Sequence, residues 1–304
     1  MILLAGVPHE PPMALVIAAL EARGAPHLLF DQGQAGSGVV LQGSHGSMTG
    51  MLEMPDGGCI RLEEVRGCYT RMVDHRRLAV WRNADEAGRA GMDAANAAMN
   101  LFMELAPCRV LNRAAAMSSN RSKPYQSQLI QGFGFDVPQT LVTNDPAAAR
   151  EFQAQHGRLV FKSISGLRSI VTEWDDAAAA RLGMIRACPV QFQALAEGLD
   201  IRVHVVGDAI FATACRSPVV DYRYAGREDS TTTLEPYVLP EAVAARCLAL
   251  AHALELPLCG IDLKHTPDGR WVCFEANPSP GFSWFEEAAG QPIAAAIALL
   301  LTDT

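Results

Sequence analysis

The sequence predicts an α/β (α+β) fold in which an N-terminal β-α-β module is followed by two β-rich lobes. Apolar runs of strand length alternate with helical patterns early in the chain, whereas strands dominate after residue 188. The 304 residues suffice for more than one hydrophobic core, and 49% hydrophobic with 19% charged residues is typical of a globular protein. We therefore expect three modules, over residues 1–115, 116–190 and 191–304.

The first module opens with a buried strand over residues 1–6. Pro11 begins a helix that ends at Gly24, because proline suits the first turn of a helix and glycine its end. A second strand, His27–Asp31, completes the β-α-β unit. Dinucleotide-binding folds begin in the same way, but here the turn over residues 6–12 holds one glycine and three prolines. It cannot supply the backbone N–H cradle of a pyrophosphate site, so that fold is excluded.

The remaining elements follow from periodicity and from turn residues. A hairpin around the turn at 55–58 and a further strand that ends near Arg71 are predicted over residues 48–72. Helices are predicted over Glu86–Leu105, Lys123–Phe133, Pro146–His156, 175–186, 240–254 and 291–302. Strands are predicted near Val110 and over Val137–Leu141, Arg158–Ser163, Arg168–Thr172, 188–193, 199–206, 209–216, 257–264 and 270–276.

Composition excludes several classes of protein. A net charge of −8 provides no domain-wide positive field, so we expect no nucleic-acid partner. The N-terminal apolar run lacks the features of a signal peptide, and no segment is long enough to span a membrane, so we expect a cytoplasmic protein without membrane contact. The eight cysteines show no metal-ligand spacing and are expected to be reduced thiols.

Acidic residues stand inside the apolar strands near the C-terminus. Glu275 and Asn277 lie two residues apart on one strand and therefore share a face. Asp262, on the preceding strand, joins that face if the intervening hairpin loop has an even number of residues, or if a bulge corrects the phase of an odd loop. Two carboxylates and a carboxamide on one face suit Mg²⁺. Solvent-facing strand residues are the alternative interpretation.

Isolated cations occur on the predicted strands as well. Lys162 ends the apolar strand that begins at Arg158, Arg202 stands within Asp200-Ile201-Arg202-Val203, and Arg216 ends the strand that begins near residue 209. Any one of them is equally compatible with a solvated strand face. Together they supply the positive charge that a triphosphate site requires.

From about residue 110 to residue 304 the chain resembles the ATP-grasp ligases, most closely the microviridin-type (graspetide) peptide ligases and their RimK-like relatives. The order and spacing of five segments carry this resemblance: SKPYQSQLIQGFGFDVPQTLVTND, LVFKSISG, PVQFQALAEGLDIRVHVVGDAIFATA, CGIDLKHTPDG and VCFEANPSPGFSWFE. It implies an ATP-grasp fold with ATP between the two β-rich lobes.

The resemblance also implies roles for individual residues. Two lysines would bind the phosphates, and the backbone of a hinge between the lobes would read adenine. The implied nucleotide-binding residues are Lys123, Lys162, Gln193, Ala194, Leu195, Ala196 and Asp200. The implied Mg²⁺ ligands are Asp262, Glu275 and Asn277. Arg202 and Arg216 would face the γ-phosphate and the acyl phosphate, as catalytic residues.

The implied function is an ATP- and Mg²⁺-dependent carboxylate ligase that forms an amide or ester bond through an acyl phosphate, on a peptide substrate. A small-molecule ligase of the glutathione-synthetase or RimK kind and a non-catalytic ATP-binding module remain open alternatives. The resemblance implies a homodimer. Residues 221–233 would be either a substrate lid or a surface loop. Arg71, Arg76 and Arg77 would either form a basic patch for an acidic peptide or lie in a solvated loop.

Overall fold

The computed structural model describes residues 1–44, 47–55, 57–164, 171–217 and 232–303. Its β-strands are β1 Ile2–Gly6, β2 His27–Asp31, β3 Gly38–Ser44, β4 Ser47–Glu53, β5 Cys59–Arg61, β6 Gly67–Thr70, β7 Arg109–Leu111, β8 Thr140–Thr143, β9 Leu159–Ser163, β10 Thr172–Glu173, β11 Val190–Ala194, β12 Leu199–Val206, β13 Ala209–Arg216, β14 Thr233–Pro236, β15 Leu258–His265 and β16 Trp271–Asn277. Its α-helices are α1 Pro11–Ala22, α2 Ala79–Asn83, α3 Glu86–Leu105, α4 Lys123–Gln131, α5 Pro146–His156, α6 Asp176–Ala180, α7 Glu241–Ala253, α8 Ser283–Ala289 and α9 Ile293–Thr302.

The N-terminal part contains a parallel sheet of order β2-β1-β6-β7, as expected for a β-α-β opening. A separate antiparallel sheet, β3-β4-β5, stands beside it. The predicted hairpin around 55–58 is confirmed as β4 and β5, with Glu53 opposite Cys59, and the further strand predicted to end near Arg71 is β6. Strand β3 was not predicted from the sequence, since it lies in a glycine-rich segment that resembles a loop.

The two remaining sheets are antiparallel. A four-stranded sheet of order β10-β9-β11-β8 packs one face against α5 and the turn that follows α6. A five-stranded sheet of order β14-β13-β12-β15-β16 packs one face against α7 and α4. Residues 195–198 connect the two sheets, because β11 belongs to the first and β12 to the second. The mixed α/β class expected from the sequence is therefore confirmed.

The C-terminal helix α9 joins the N-terminal part to the five-stranded sheet. Its apolar residues lie in one core cluster with α1, β1 and the ends of β12 and β15. Ile297 of α9 is fully buried there, as are Leu4 of β1 and Val16 of α1. The first and last segments of the chain thus share a single hydrophobic core.

Several predicted boundaries changed. The helix predicted over 175–186 is α6, Asp176–Ala180, followed by a 3₁₀ turn over Leu182–Ala187, which buries Leu182 and Ile185. The strand predicted at Val137–Leu141 begins later, at Thr140. Most of the predicted strand Arg168–Thr172 and residues 221–231 of the predicted lid or loop lie outside the described residues. No helix of the described ranges combines the length and apolarity needed to cross a bilayer.

Candidate active site

The register of the five-stranded sheet brings the predicted acidic residues to one face. Asp262 of β15 lies directly opposite Glu275 of β16, and Gly260 lies opposite Asn277. The register shifts between Asp262 and Leu263, where Cys273 rather than Phe274 is the next partner on β16. This bulge corrects the phase of the odd-length loop that follows His265. The expectation that a bulge could place Asp262 with Glu275 and Asn277 is thus confirmed.

Cations are paired with both carboxylates. Arg202 of β12 lies opposite Asp262, and its Nη1 donates to Oδ1 of Asp262 at 2.6 Å. Nζ of Lys123, the first residue of α4, lies 2.6 Å from Oε1 of Glu275. All four of these side chains are less than one fifth exposed. Two cations and two carboxylates therefore alternate across one face of the sheet, in a setting where charge interactions are screened little.

A buried amide fixes Lys123 relative to this sheet. Gln126, three residues after Lys123 on α4, is 1% exposed. Its side chain donates to the carbonyl oxygen of Ala276 at 2.8 Å and accepts from the Ala276 N–H at 3.2 Å. Since Ala276 lies between Glu275 and Asn277, this paired contact aligns the start of α4 with the charged face. Sequence reasoning missed this residue, because a lone glutamine in a helix gives no distinctive pattern.

A third ion pair continues the row towards the connection between the sheets. Asp200 lies opposite Lys264, and Oδ1 of Asp200 lies 3.2 Å from Nζ of Lys264. Gly198, just before β12, approaches the His265 backbone so closely that a Cβ there would lie 2.2 Å from its carbonyl oxygen. Only glycine permits this approach, at a φ of +142°. The connection is therefore pressed against the end of β15.

The expected hinge residues Gln193, Ala194, Leu195 and Ala196 lie at the end of β11 and just beyond it. The amides of Ala194 and Leu195 donate to the carbonyl oxygens of Gln139 and Arg158, each at 2.9 Å. These two N–H groups are therefore used within the protein.

Lys162 lies on β9 opposite Gln191, and Gln193 lies opposite Val160 on the same pair of strands. Strand alternation therefore places Lys162, Gln191 and Gln193 on the face that does not contain the core rings Phe161 and Phe192. The side-chain amide of Gln193 donates from Nε2 to the Thr140 hydroxyl at 3.0 Å. The four-stranded sheet thus has one apolar face and one polar face that carries the lysine.

Arg216 is not brought together with Arg202. Cys215 lies opposite Asp200, so Arg216, the next residue on β13, falls on the other face by strand alternation. Its guanidinium is more than half exposed, and its Nε lies 3.7 Å from Oε2 of Glu235. Because Arg216 is the last residue of β13, the sequence did not indicate on which face of the sheet its side chain would lie.

The N-terminal part reaches the same region through two residues, Asn112 and Arg71. Asn112, which follows β7, donates to the carbonyl oxygens of Leu258 and Pro278, each at 2.6 Å. Arg71, which follows β6, donates to the Pro280 carbonyl oxygen at 2.9 Å and forms a bidentate ion pair with Glu10. The segment after Asn277 is therefore held against the carboxyl edge of the parallel sheet, the edge at which α/β folds bind ligands.

The donor set suits Mg²⁺ by its chemistry. Two carboxylates and the Asn277 carboxamide oxygen are hard oxygen donors, and they share one face of neighbouring strands. Asn277 Oδ1 also accepts the Ser279 N–H at 2.9 Å, which fixes the orientation of the amide. Within the described ranges no group of three or more His, Cys, Asp or Glu side chains could hold a metal ion, and the set here consists of two carboxylates and a carboxamide.

Fold and site together define an ATP-grasp ligase. Residues 120–301, more than half of the chain, match the family described as the RimK-like ATP-grasp domain, and the chain belongs to that family. ATP-grasp ligases of this kind are ADP-forming carboxylate-amine ligases.

Solved structures resemble the chain over its whole length. Macrocyclase MdnC from Microcystis aeruginosa MRC, bound with precursor peptide MdnA, has a TM-score of 0.83 and 25% identity, over 100% of this chain and 99% of MdnC. ATP-grasp ligase PsnB, complexed with precursor peptide PsnA2 and AMPPNP, has a TM-score of 0.74 and 30% identity, over 99% and 96%. A probable alpha-L-glutamate ligase of Shewanella loihica is 29% identical over 197 residues, which are 62% of this chain and 65% of that relative's length.

Proposed function

We propose that this protein is an ATP- and Mg²⁺-dependent ligase that activates a carboxylate of a peptide as an acyl phosphate and closes an amide or ester bond. The observation that carries the proposal is the single face on which Asp262 and Glu275 lie opposite each other, each paired with a cation. The peptide class rests on MdnC and PsnB, which are complexed with precursor peptides.

The chemistry follows from the weakness of a carboxylate as an electrophile. Its oxygen attacks the γ-phosphorus of ATP, and ADP leaves. An amine or hydroxyl then attacks the acyl carbon, and phosphate leaves. Arg202 would bind the transferred phosphoryl group, and Lys123 and Lys162 would bind the phosphates that remain. Mg²⁺ held by Asp262, Glu275 and Asn277 would neutralise phosphate charge.

An acidic peptide would not be attracted by a protein of net charge −8, so recognition must be local. Neighbouring carboxylates reduce the positive charge of the basic patch expected from the sequence. Arg71 is paired with Glu10, and Arg76 lies 3.2 Å from Asp93. Arg77 is exposed. The three modules predicted above, a homodimer and a cytoplasmic location remain part of this proposal.

A second candidate is transfer of glutamate to a protein or small molecule. The names of the sequence relatives favour it, because the Shewanella loihica relative is a probable alpha-L-glutamate ligase. A non-catalytic ATP-binding module is disfavoured, since the three proposed metal ligands are present and share one face.

The test is to incubate the protein with ATP, Mg²⁺ and either acidic peptides or free amino acids, and to measure nucleotide products and product mass. Loss of one water from a peptide, with ADP formed, would support the peptide ligase. A glutamate added to an acceptor would support the second candidate. Release of AMP and pyrophosphate would overturn the acyl-phosphate mechanism.

The double variant Glu275→Gln with Asn277→Ala should lower the rate of ADP formation by at least ~100-fold, because charge stabilisation of the phosphoryl group is lost. Its circular dichroism should remain that of the wild type. Glu241→Gln, at an exposed residue in the first turn of α7, is the matched control. Wild-type turnover by the double variant would show that these two residues are not ligands.

A further inference from the structure

His204 is a fully buried imidazole beside Arg202 on the charged face of the five-stranded sheet. It follows Arg202 by two residues on β12 and lies opposite Gly260, so it shares the face of Arg202 and Asp262. Its side chain is 0% exposed. The imidazole stands edge-on to the ring of Phe285, with centroids 5.0 Å apart, and the Arg202 guanidinium carbon lies 5.9 Å from that ring centroid. The two rings thus border the guanidinium.

Different nitrogens of the Arg202 guanidinium contact different neighbours. Nε donates to Nε2 of His204 at 3.4 Å, and Nη1 donates to Asp262 at 2.6 Å. Nη2 lies over Gly260, where a Cβ would be 2.2 Å from it. Contacts at both ends of a planar group prevent its rotation, so the orientation of the guanidinium is set by its neighbours.

The protonation state of His204 explains why an imidazole stands here. Burial, and then the nearby positive charge of Arg202, hold the pKa of His204 well below its usual 6.5. A neutral imidazole has one N–H and one acceptor nitrogen, and since Nε2 accepts from Arg202 the proton is on Nδ1. Nδ1 has no hydrogen-bond partner among the described residues. A buried unpartnered N–H is destabilising, so for packing alone an apolar ring would serve better.

We propose that His204 is a positioning residue, whose neutral imidazole accepts a hydrogen bond from Arg202 Nε and orients the guanidinium towards the transferred phosphoryl group. This inference rests on the proposed function, because the phosphoryl group is the one that Arg202 binds there. Sequence reasoning missed His204, although its alternation with Asp200 and Arg202 places all three on one face.

The first test is independent of any reaction. In ¹⁵N-labelled wild-type protein at pH 7.5, long-range ¹H–¹⁵N spectra should show that the imidazole of His204, assigned by comparison with the His204→Phe variant, is neutral and carries its proton on Nδ1. His204→Phe should remove that signal. A signal at this residue from an Nε2-protonated or a charged imidazole would overturn the proposal, because neither can accept from Arg202.

The second test measures ADP formation in the assay above. His204→Phe keeps an aromatic ring against Phe285 but loses the acceptor, and we expect kcat to fall ~10-fold while KM for ATP changes less than ~2-fold. His204→Gln should recover kcat to within ~3-fold of the wild type, because its amide oxygen reaches the place of Nε2. His265→Phe is the matched control, since that imidazole stacks on Trp271 with centroids 4.5 Å apart.

Wild-type kcat in His204→Phe, or equal impairment of the Phe and Gln variants, would overturn the proposal in favour of a packing role. A wild-type protein that turned over no substrate would contradict the proposed function, and the tautomer measurement would then decide the role of His204 alone.

Discussion

At the scale of single residues, the site depends on space as much as on charge. Gly260 has no φ in the left-handed region, so its backbone does not require glycine. Its lack of a side chain instead leaves room for Arg202, whose Nη2 and Cζ would lie 2.2 and 2.7 Å from a Cβ. The glycine is therefore explained by the arginine on the neighbouring strand.

Gly260→Ala should displace the Arg202 guanidinium and lower kcat by ~100-fold, the effect of a misplacement of about 1 Å at a reacting centre. The free energy of unfolding should fall by only about 1–3 kcal/mol, because the obstructed atoms are the end of a flexible side chain and one proline carbon. Steady-state kinetics and urea denaturation measure the two effects.

Gly91→Ala is the control for this substitution. Gly91 lies on α3, where a Cβ would meet nothing within 4 Å, and the variant should retain wild-type kcat. If Gly260→Ala were also fully active, Arg202 would not need its observed position.

The sequence predicted the charged residues better than it predicted their partners. Residue type and two-residue spacing were enough to place Glu275 with Asn277, because strand alternation fixes the face. The ion pair of Lys123 with Glu275 joins a helix start to a strand more than 150 positions later, and no local pattern encodes such a contact. The face of Arg216 depended on the register with β12, which the sequence leaves open.

At the scale of elements, the bulge in β16 is the feature on which the site depends. Without it the odd loop after β15 would turn Glu275 and Asn277 to the apolar face, away from Asp262. The helices α3 and α5 were predicted at the observed bounds, and in the structure the side chains of Asp85 and Asp145 cap their first turns. Strand β14 and helix α8 were not predicted, because their short segments carry no periodic pattern.

Helix α9 provides the test at this scale. Ile297→Ala should lower the free energy of unfolding by about 2–5 kcal/mol, because a fully buried side chain is removed from the core that α9 shares with α1 and β1. Chemical denaturation followed by tryptophan fluorescence measures the change.

Leu299→Ala is the matched control on the same helix, since Leu299 is 44% exposed. It should cost less than about 1 kcal/mol. Equal losses in the two variants would mean that α9 does not pack as described.

At the scale of the whole molecule, buried thiols link stability to pH. All eight cysteines lie in described segments and are free. Burial raises the pKa of the Cys215, Cys247 and Cys259 thiols to about 12, above the usual value near 9. Above pH 9 the unfolded chain therefore loses thiol protons that the folded protein keeps. Stability contributed by these groups is present below pH 9 and is lost as pH rises from there towards 12.

For Cys247 burial is the sole cause of the raised pKa, so this thiol gives the cleanest measurement. A difference of one bound proton changes the free energy of unfolding by up to about 1.4 kcal/mol per pH unit. Between pH 9.5 and 11 the free energy of unfolding should therefore fall less steeply with pH in Cys247→Ala than in the wild type, by up to about 1.4 kcal/mol per pH unit. This difference in slope does not depend on how the variant changes stability at pH 7. Cys59→Ala, which removes an exposed thiol, is the matched control. An unchanged slope in Cys247→Ala would show that the Cys247 thiol is not desolvated by the packing of α7 on the five-stranded sheet.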